Sequence, residues 1–212
     1  MAAKRMSLTD AASLRALAHP LRLDILEQLM LHGPRTATQL GATLGESASN
    51  CSWHLRKLAA HGLVEEVPDV PGRSRPWRAV SEGISWGETD EDEETSAAGR
   101  GLTDLFLSRE LHKLRASMEH ERTEPAEWRD ARTLTQSSVW MTAEETREAA
   151  RELEGLLMRY VERNHDPALR PEGSRLVGMV GWVAPRADPR APAPHDETTN
   201  HTDGTIEQGE ER

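Results

Sequence analysis

The feature that most limits what this chain can fold into is the short turn Leu44-Gly-Glu-Ser47. It lies between two segments that each read as a helix of only a few turns. Upstream, Thr36-Ala-Thr-Gln-Leu-Gly-Ala-Thr-Leu44 places Leu40 and Leu44 on one face, and Thr36 opens it. Downstream, Ser47-Ala-Ser-Asn-Cys-Ser-Trp-His-Leu-Arg-Lys-Leu58 has Ser47 as a natural N-cap and runs to about His61, where Gly62 ends it. A short helix, a tight turn and a second helix form a helix-turn-helix.

The face pattern of the second helix is informative. Cys51, Leu55 and Leu58 recur at i, i+4 and i+7 and must pack inward. Ser49, Asn50, Ser52, Trp53, Arg56 and Lys57 occupy the opposite side. Short polar side chains come first and cations follow. That layout suits a helix in a DNA major groove, with base edges met by its N-terminal residues and phosphates met by Arg and Lys.

The flanking segments fit around this pair. Leu8 to Ala18 reads as a first helix capped by Ser7 or Thr9. A second helix starts at His19-Pro20, where a proline costs nothing, and ends at Gly33-Pro34. Beyond Gly62 the period changes. Leu63–Val67 and Trp77–Val80 read as two strands of a hairpin, with Trp77 as its anchor and a turn-rich tip carrying Arg73 and Arg75.

Residues 10–82 resemble the winged helix-turn-helix of the ArsR-type bacterial transcription regulators. The pieces that carry the resemblance are Ala16-Leu-Ala-His-Pro-Leu-Arg-Leu-Asp-Ile-Leu26, Leu44-Gly-Glu-Ser47, Ser52-Trp-His-Leu-Arg-Lys-Leu58 and His61-Gly-Leu-Val64. The resemblance implies a dimeric DNA-binding repressor or activator. By position, Ser47, Ser49, Asn50, Ser52 and Trp53 would face bases or phosphates, and Arg56, Arg73 and Arg75 the backbone. Thr36 and Lys57 complete the set of expected DNA contacts.

The remainder differs in composition. Residues 1–82 carry ten Lys/Arg and eight Asp/Glu, a net +2, whereas the rest carries sixteen and twenty-eight, a net −12. Such asymmetry suggests different partners for the two parts. The run Glu88–Glu94 reads as a solvated linker or as the acidic start of a helix, with Trp86 seating it. A long helix follows over 97–120, with Leu107, Leu111, Leu114 and Met118 as an apolar stripe that Leu102 and Phe106 extend. This stripe is the expected homodimer interface. Leu134–Met141 and Leu176–Val183 read as strands around a helix opened by the capping box Thr142-Ala-Glu-Glu145, with Ala149, Leu153, Leu156, Leu157 and Tyr160 inward. Trp128, Trp140 and Trp182 either supply core bulk or line a pocket for a small organic effector. From Ala184 onward the composition cannot offset ordering entropy, so a disordered tail is expected.

The expected fold is mostly α with small β. A winged helix-turn-helix occupies 1–85, an acidic linker 86–96, a helical or α+β dimerisation segment 97–184, and a tail 185–212. The expected partners are a near-palindromic double-stranded operator and a second copy of the chain.

Other chemistries are weakly supported. A Cys51–His54 nucleophile pair lacks an orienting third group and has its thiol on the inward face. Metal sensing lacks cysteines on 36–44, and His112 and His120 lie about 80° apart around a helix; no cofactor or metal is expected. No phosphate loop or nucleophile elbow points to an enzyme. With only a mild positive charge in its first part, the chain could also use its winged helix for protein contacts without DNA. One cysteine, no signal-like start and no long apolar run place it in the cytoplasm by default.

Overall fold

The computed structural model describes residues 5–68, 75–87 and 92–186. The described residues divide into two units, one ending at Trp182 and one starting at Val183. Of the second unit only 183–186 are described, and they form no regular element. The expected tail beyond 186, the tip residue Arg73 and the acidic residues 88–91 lie outside the described residues.

The first unit is mostly helical with two small sheets. Strand β1 (Arg5–Leu8) precedes helices α1 (Ala11–Leu17), α2 (Pro20–His32), α3 (Ala37–Leu44) and α4 (Ala48–Ala59). Strands β2 (Val64–Glu66) and β3 (Trp77–Ala79) form the hairpin, and β4 (Gly83–Trp86) follows. Then come α5 (Glu93–Glu119), α6 (Ala126–Asp130), α7 (Ala143–Met158) and α8 (Glu162–His165).

Local chemistry sets these boundaries. Asp10, not Ser7 or Thr9, caps α1 by accepting from the Ser13 amide. The segment before it is instead β1, paired in parallel with β4 from Arg5↔Gly83 to Leu8↔Trp86. His19 caps α2 through Nδ1, which accepts from the Leu21 amide at 3.2 Å. Burial, then the charge of Arg22, pushes the His19 pKa down, and the neutral ring keeps the lone pair this cap needs. Thr36 and Gln39 form a reciprocal capping box on α3. Gly45 ends α3 at φ 71°, a left-handed position that glycine adopts at no steric cost.

The hairpin takes the expected place, with Val64↔Ala79 and Glu66↔Trp77 in antiparallel register. Trp77 also exchanges backbone hydrogen bonds with Arg35 at 2.9 and 2.8 Å, so the chain before α3 ties onto β3. Trp77 packs against the core and anchors the hairpin as its sequence suggests.

The core draws Leu14 and Leu17 from α1, Leu21, Leu23, Ile25, Leu26 and Leu29 from α2, Leu40 from α3, and Cys51, Leu55 and Leu58 from α4. Leu102 of α5 reaches the same core and is fully buried. Helix α5 starts earlier than its apolar pattern indicates, because Asp92 caps it and Glu93 and Glu94 fill its first turn. The acidic run is therefore, at its end, the start of a helix. Its N-terminal part lies along α1, and Trp86 of β4 donates from Nε1 to Thr103 Oγ1 at 2.9 Å while its ring meets Phe106 edge-on. Further along, Arg109 and Lys113 bind α2. Arg109 Nε donates to Asp24 Oδ1 at 2.8 Å, and Lys113 Nζ donates to Glu27 Oε1 at 2.6 Å.

Two expectations fail after α5. Neither 134–141 nor 176–183 forms a strand. Weak alternation alone does not make a strand; its backbone groups need a neighbouring edge, and neither segment has one here. The C-terminal part is thus helical among the described residues, not α/β. Helix α7 begins at its predicted capping box. It buries no residue fully, however, and Leu156 and Tyr160 are exposed where an inward position was expected.

Candidate nucleic-acid interface

The interface centres on α4. Ser47 caps it, its Oγ accepting from the Asn50 amide at 3.1 Å. Cys51, Leu55 and Leu58 are fully buried on one side. Ser49, Trp53, Arg56 and Lys57 are exposed on the other, with Asn50 and Ser52 half-buried beside them. The sharp bend between α3 and α4 requires Gly41. A Cβ there would come within 2.6 Å of the Glu46 carbonyl oxygen.

The expected site residues do not all stand ready. Thr36 Oγ1 accepts from the Gln39 amide at 3.2 Å, so its hydroxyl is spent on the helix cap. Asn50 Nδ2 donates to Glu46 Oε2 at 2.9 Å. Arg75 pairs with Glu66 and Arg78 with Glu65, which partly neutralises the hairpin. Lys57 lies over the Trp53 ring at 5.4 Å from its centroid, and Trp53 meets His54 edge-on.

Cys51 and His54 are both buried. Burial pushes the Cys51 thiol up, away from the thiolate. His54 is buried, and burial followed by the charges of His19 and Arg22 pushes its pKa down. It packs on His19 at 4.6 Å between ring centroids. Among the described residues no group of three His, Cys, Asp or Glu side chains is placed to hold a metal.

The Trp128, Trp140 and Trp182 pocket does not form. Trp140 is 92% exposed and Trp182 74% exposed, because the strands that would have carried them are absent. Trp128 instead stacks against the Arg175 guanidinium. The stripe residues Leu107, Leu111, Leu114 and Met118 are 40–50% exposed along α5.

Sequence reasoning missed three residues beside α4. Glu46 places a carboxylate at its N-terminal end. Arg22 and His61 border the same face from α2 and the turn after α4. Their signal was faint, since both sit in segments whose apolar positions dominate the pattern.

The profile described as "Helix-turn-helix domain" matches residues 17–67, which hold α2, α3, α4 and the first strand of the hairpin. This segment is a helix-turn-helix domain. The pieces by which the sequence resembles the ArsR-type regulators fall on it, save for Ala16. No curated protein matches the chain. Among solved structures, one described as a possible transcriptional regulator for arsenical resistance is 31% identical over 50% of this chain and 94% of that one, with a TM-score of 0.29. A homodimeric winged helix-turn-helix DNA-binding domain from Mycobacterium bovis, a possible ArsR-family regulator, is 24% identical over 48% of this chain and 79% of that one, at 0.32. A transcriptional regulator from Thermotoga maritima is 15% identical over 69% and 84%, at 0.27. Among the described residues no helix is long and apolar enough to cross a membrane.

Proposed function

We propose that this chain is a homodimeric, sequence-specific DNA-binding transcription regulator of the ArsR type, acting as a repressor, with α4 as its recognition helix. The observation that carries this reading is the two-sided character of α4. One face is fully buried on the helix-turn-helix core, and the other presents Ser49, Trp53, Arg56 and Lys57 to solvent. An α-helix so presented fits the major groove, with Asn50 suited to adenine and Arg56 and Lys57 to phosphates or guanine. Glu46 adds an acceptor that could take a cytosine amino group.

Two copies pair through the exposed stripe on α5. Burying it is worth about 25 cal/mol per Å² before ordering costs. The paired heads read half-sites one helical turn apart, so the operator is a near-palindrome. A small organic effector adjusts the affinity of the heads for DNA. The ion pairs at Arg75 and Arg78 favour a second reading, a winged helix used for protein contacts, because they offset both arginines among the described residues of the hairpin.

The test is selection of genomic fragments at a stated, near-physiological salt concentration, with Asn50→Ala/Arg56→Ala alongside. Wild type enriches a palindromic site and the double variant does not. A folded dimer that enriches nothing would overturn the DNA reading and leave the protein-contact one.

A further inference from the structure

Beside α4 lies an open cleft of about 310 Å³ lined by Ala12, Arg15 and Ala16 of α1, Arg22 of α2, Trp53 and Lys57 of α4, and His61. Its chemistry is one-sided. Two guanidinium groups, an ammonium and an imidazole border it, and among the described residues no carboxylate does. Two neighbouring acids are already engaged. Glu94 pairs with Arg15, and Asp10 caps α1 while lying close enough to His61 to feel its charge. Arg22 is the informative group. Its Nε is buried with no hydrogen-bond partner, and it sits against His19 and His54, neither of which can neutralise it. That atom is closed to solvent, and it is the rest of Arg22 that lines the cleft and brings its charge to it.

Part of the wall is apolar. Two alanines and the half-exposed Trp53 ring form it, with the Lys57 ammonium on that ring. A lone phosphate would satisfy the cations and leave this wall wet. A planar ring bearing a carboxylate uses both, stacking on Trp53 while its oxygens accept from Arg22 and Lys57. The volume lies at the small end of the range for small-molecule sites.

We infer that this cleft binds a small aromatic carboxylate, and that the bound ligand competes with DNA because Trp53 and Lys57 serve both. The competition rests on the DNA reading above; the binding does not. The cleft also supplies a place for an effector that the exposed C-terminal tryptophans do not.

The test is calorimetric titration of the full chain with benzoate, cyclohexanecarboxylate and inorganic phosphate. Two variants accompany wild type. Arg22→Gln removes a guanidinium that lines the cleft. Ala12→Glu adds an acid at an exposed position in the first turn of α1, where a negative charge suits the helix and the fold is undisturbed. Benzoate binds once per chain, in the millimolar range or tighter, as expected for so few atoms. Each variant weakens it by about tenfold or more, the loss expected for one charge-assisted contact. Cyclohexanecarboxylate and phosphate bind more weakly than benzoate.

Three results would overturn the assignment: no saturable benzoate binding, both variants binding as wild type does, or phosphate binding as tightly as benzoate. Displacement of a selected operator by benzoate is then measured. Benzoate that binds without displacing it would overturn the competition. A chain that binds benzoate but no DNA would refute the DNA reading and leave the cleft standing.

Discussion

The chain up to Leu102 and the chain after it solve the burial problem differently. Among the described residues, every buried core side chain lies between Leu8 and Leu102. After Leu102 the helices continue, with good caps at Thr142 and an amphipathic α7, yet none of their side chains is fully buried. Leucine is abundant in both parts. What differs is the presence of a partner surface. In the first part α1, α2, α3 and α4 close on one another. In the second, apolar positions at correct helical spacing face water. Periodicity therefore fixes which face of a helix is apolar, and says nothing about whether this same chain covers it.

That contrast can be broken in graded ways. Leu55→Ala removes a fully buried side chain from α4. It is expected to cost about 2–5 kcal/mol in chemical denaturation, whereas Leu156→Ala in α7 costs far less. Equal losses would dissolve the distinction.

Next in size is Gly41→Ala. The added carbon meets the Glu46 backbone carbonyl, which cannot rotate away as a side chain would. About 1–3 kcal/mol is expected, by analogy with overpacking, together with weakened DNA binding as α4 shifts on α3. Ala at the exposed Gly101 of α5, where nothing lies within reach of the new carbon, is the clash-free control and should stabilise by about 0.5–1 kcal/mol through helix propensity alone.

A smaller effect sits at the join between the two parts. Burial alone would raise the Glu27 pKa, but its hydrogen bond from Lys113 and the charges of Arg109 and Lys113 outweigh that and push it below its usual range. A depressed carboxylate contributes stability above its unfolded value, about 4.3, and loses it as pH falls through the folded value. Glu27→Gln should therefore lower the melting temperature at neutral pH and narrow its gap to wild type as the pH drops below about 4. A constant gap across that window would show that the ion cluster does not couple α5 to α2.

The smallest expected change in monomer stability is at Leu111→Glu, within about 0.5 kcal/mol because the position is exposed. Its effect is on association. Sedimentation should show monomers with weak operator binding. A variant that stays dimeric removes the α5 stripe as the main interface.

Much of the first part is legible in the sequence for physical reasons. Ser47, Gly45 and the Cys51–Leu55–Leu58 face specify turn, cap and burial within a dozen residues. The β1–β4 pair is not legible, because four-residue strands far apart carry no local signal and Ser7 and Thr9 look like caps. The state of the candidate site is also hidden. Residue types placed Thr36 and Asn50 at the interface, but only coordinates reveal that Gln39 and Glu46 already hold them. Arg22 shows the opposite failure, a cation in an apolar motif whose missing partner no spacing rule reports. The pattern at 134–141 is a weak alternation, which sheet pairing must complete and here does not, and 176–183 forms no strand either.

The β1–β4 pairing has a kinetic meaning. Arg5 lies in register with Gly83, so the two edges meet only after the whole helix-turn-helix domain lies between them. Loop closure over such a span comes late in folding, after local helix contacts have formed. On the ribosome the first strand emerges early and must wait for the last. Until residue 86 is free, Met6 and Leu8 have no strand beside them, and the N-terminal domain has all its helices but an open seam.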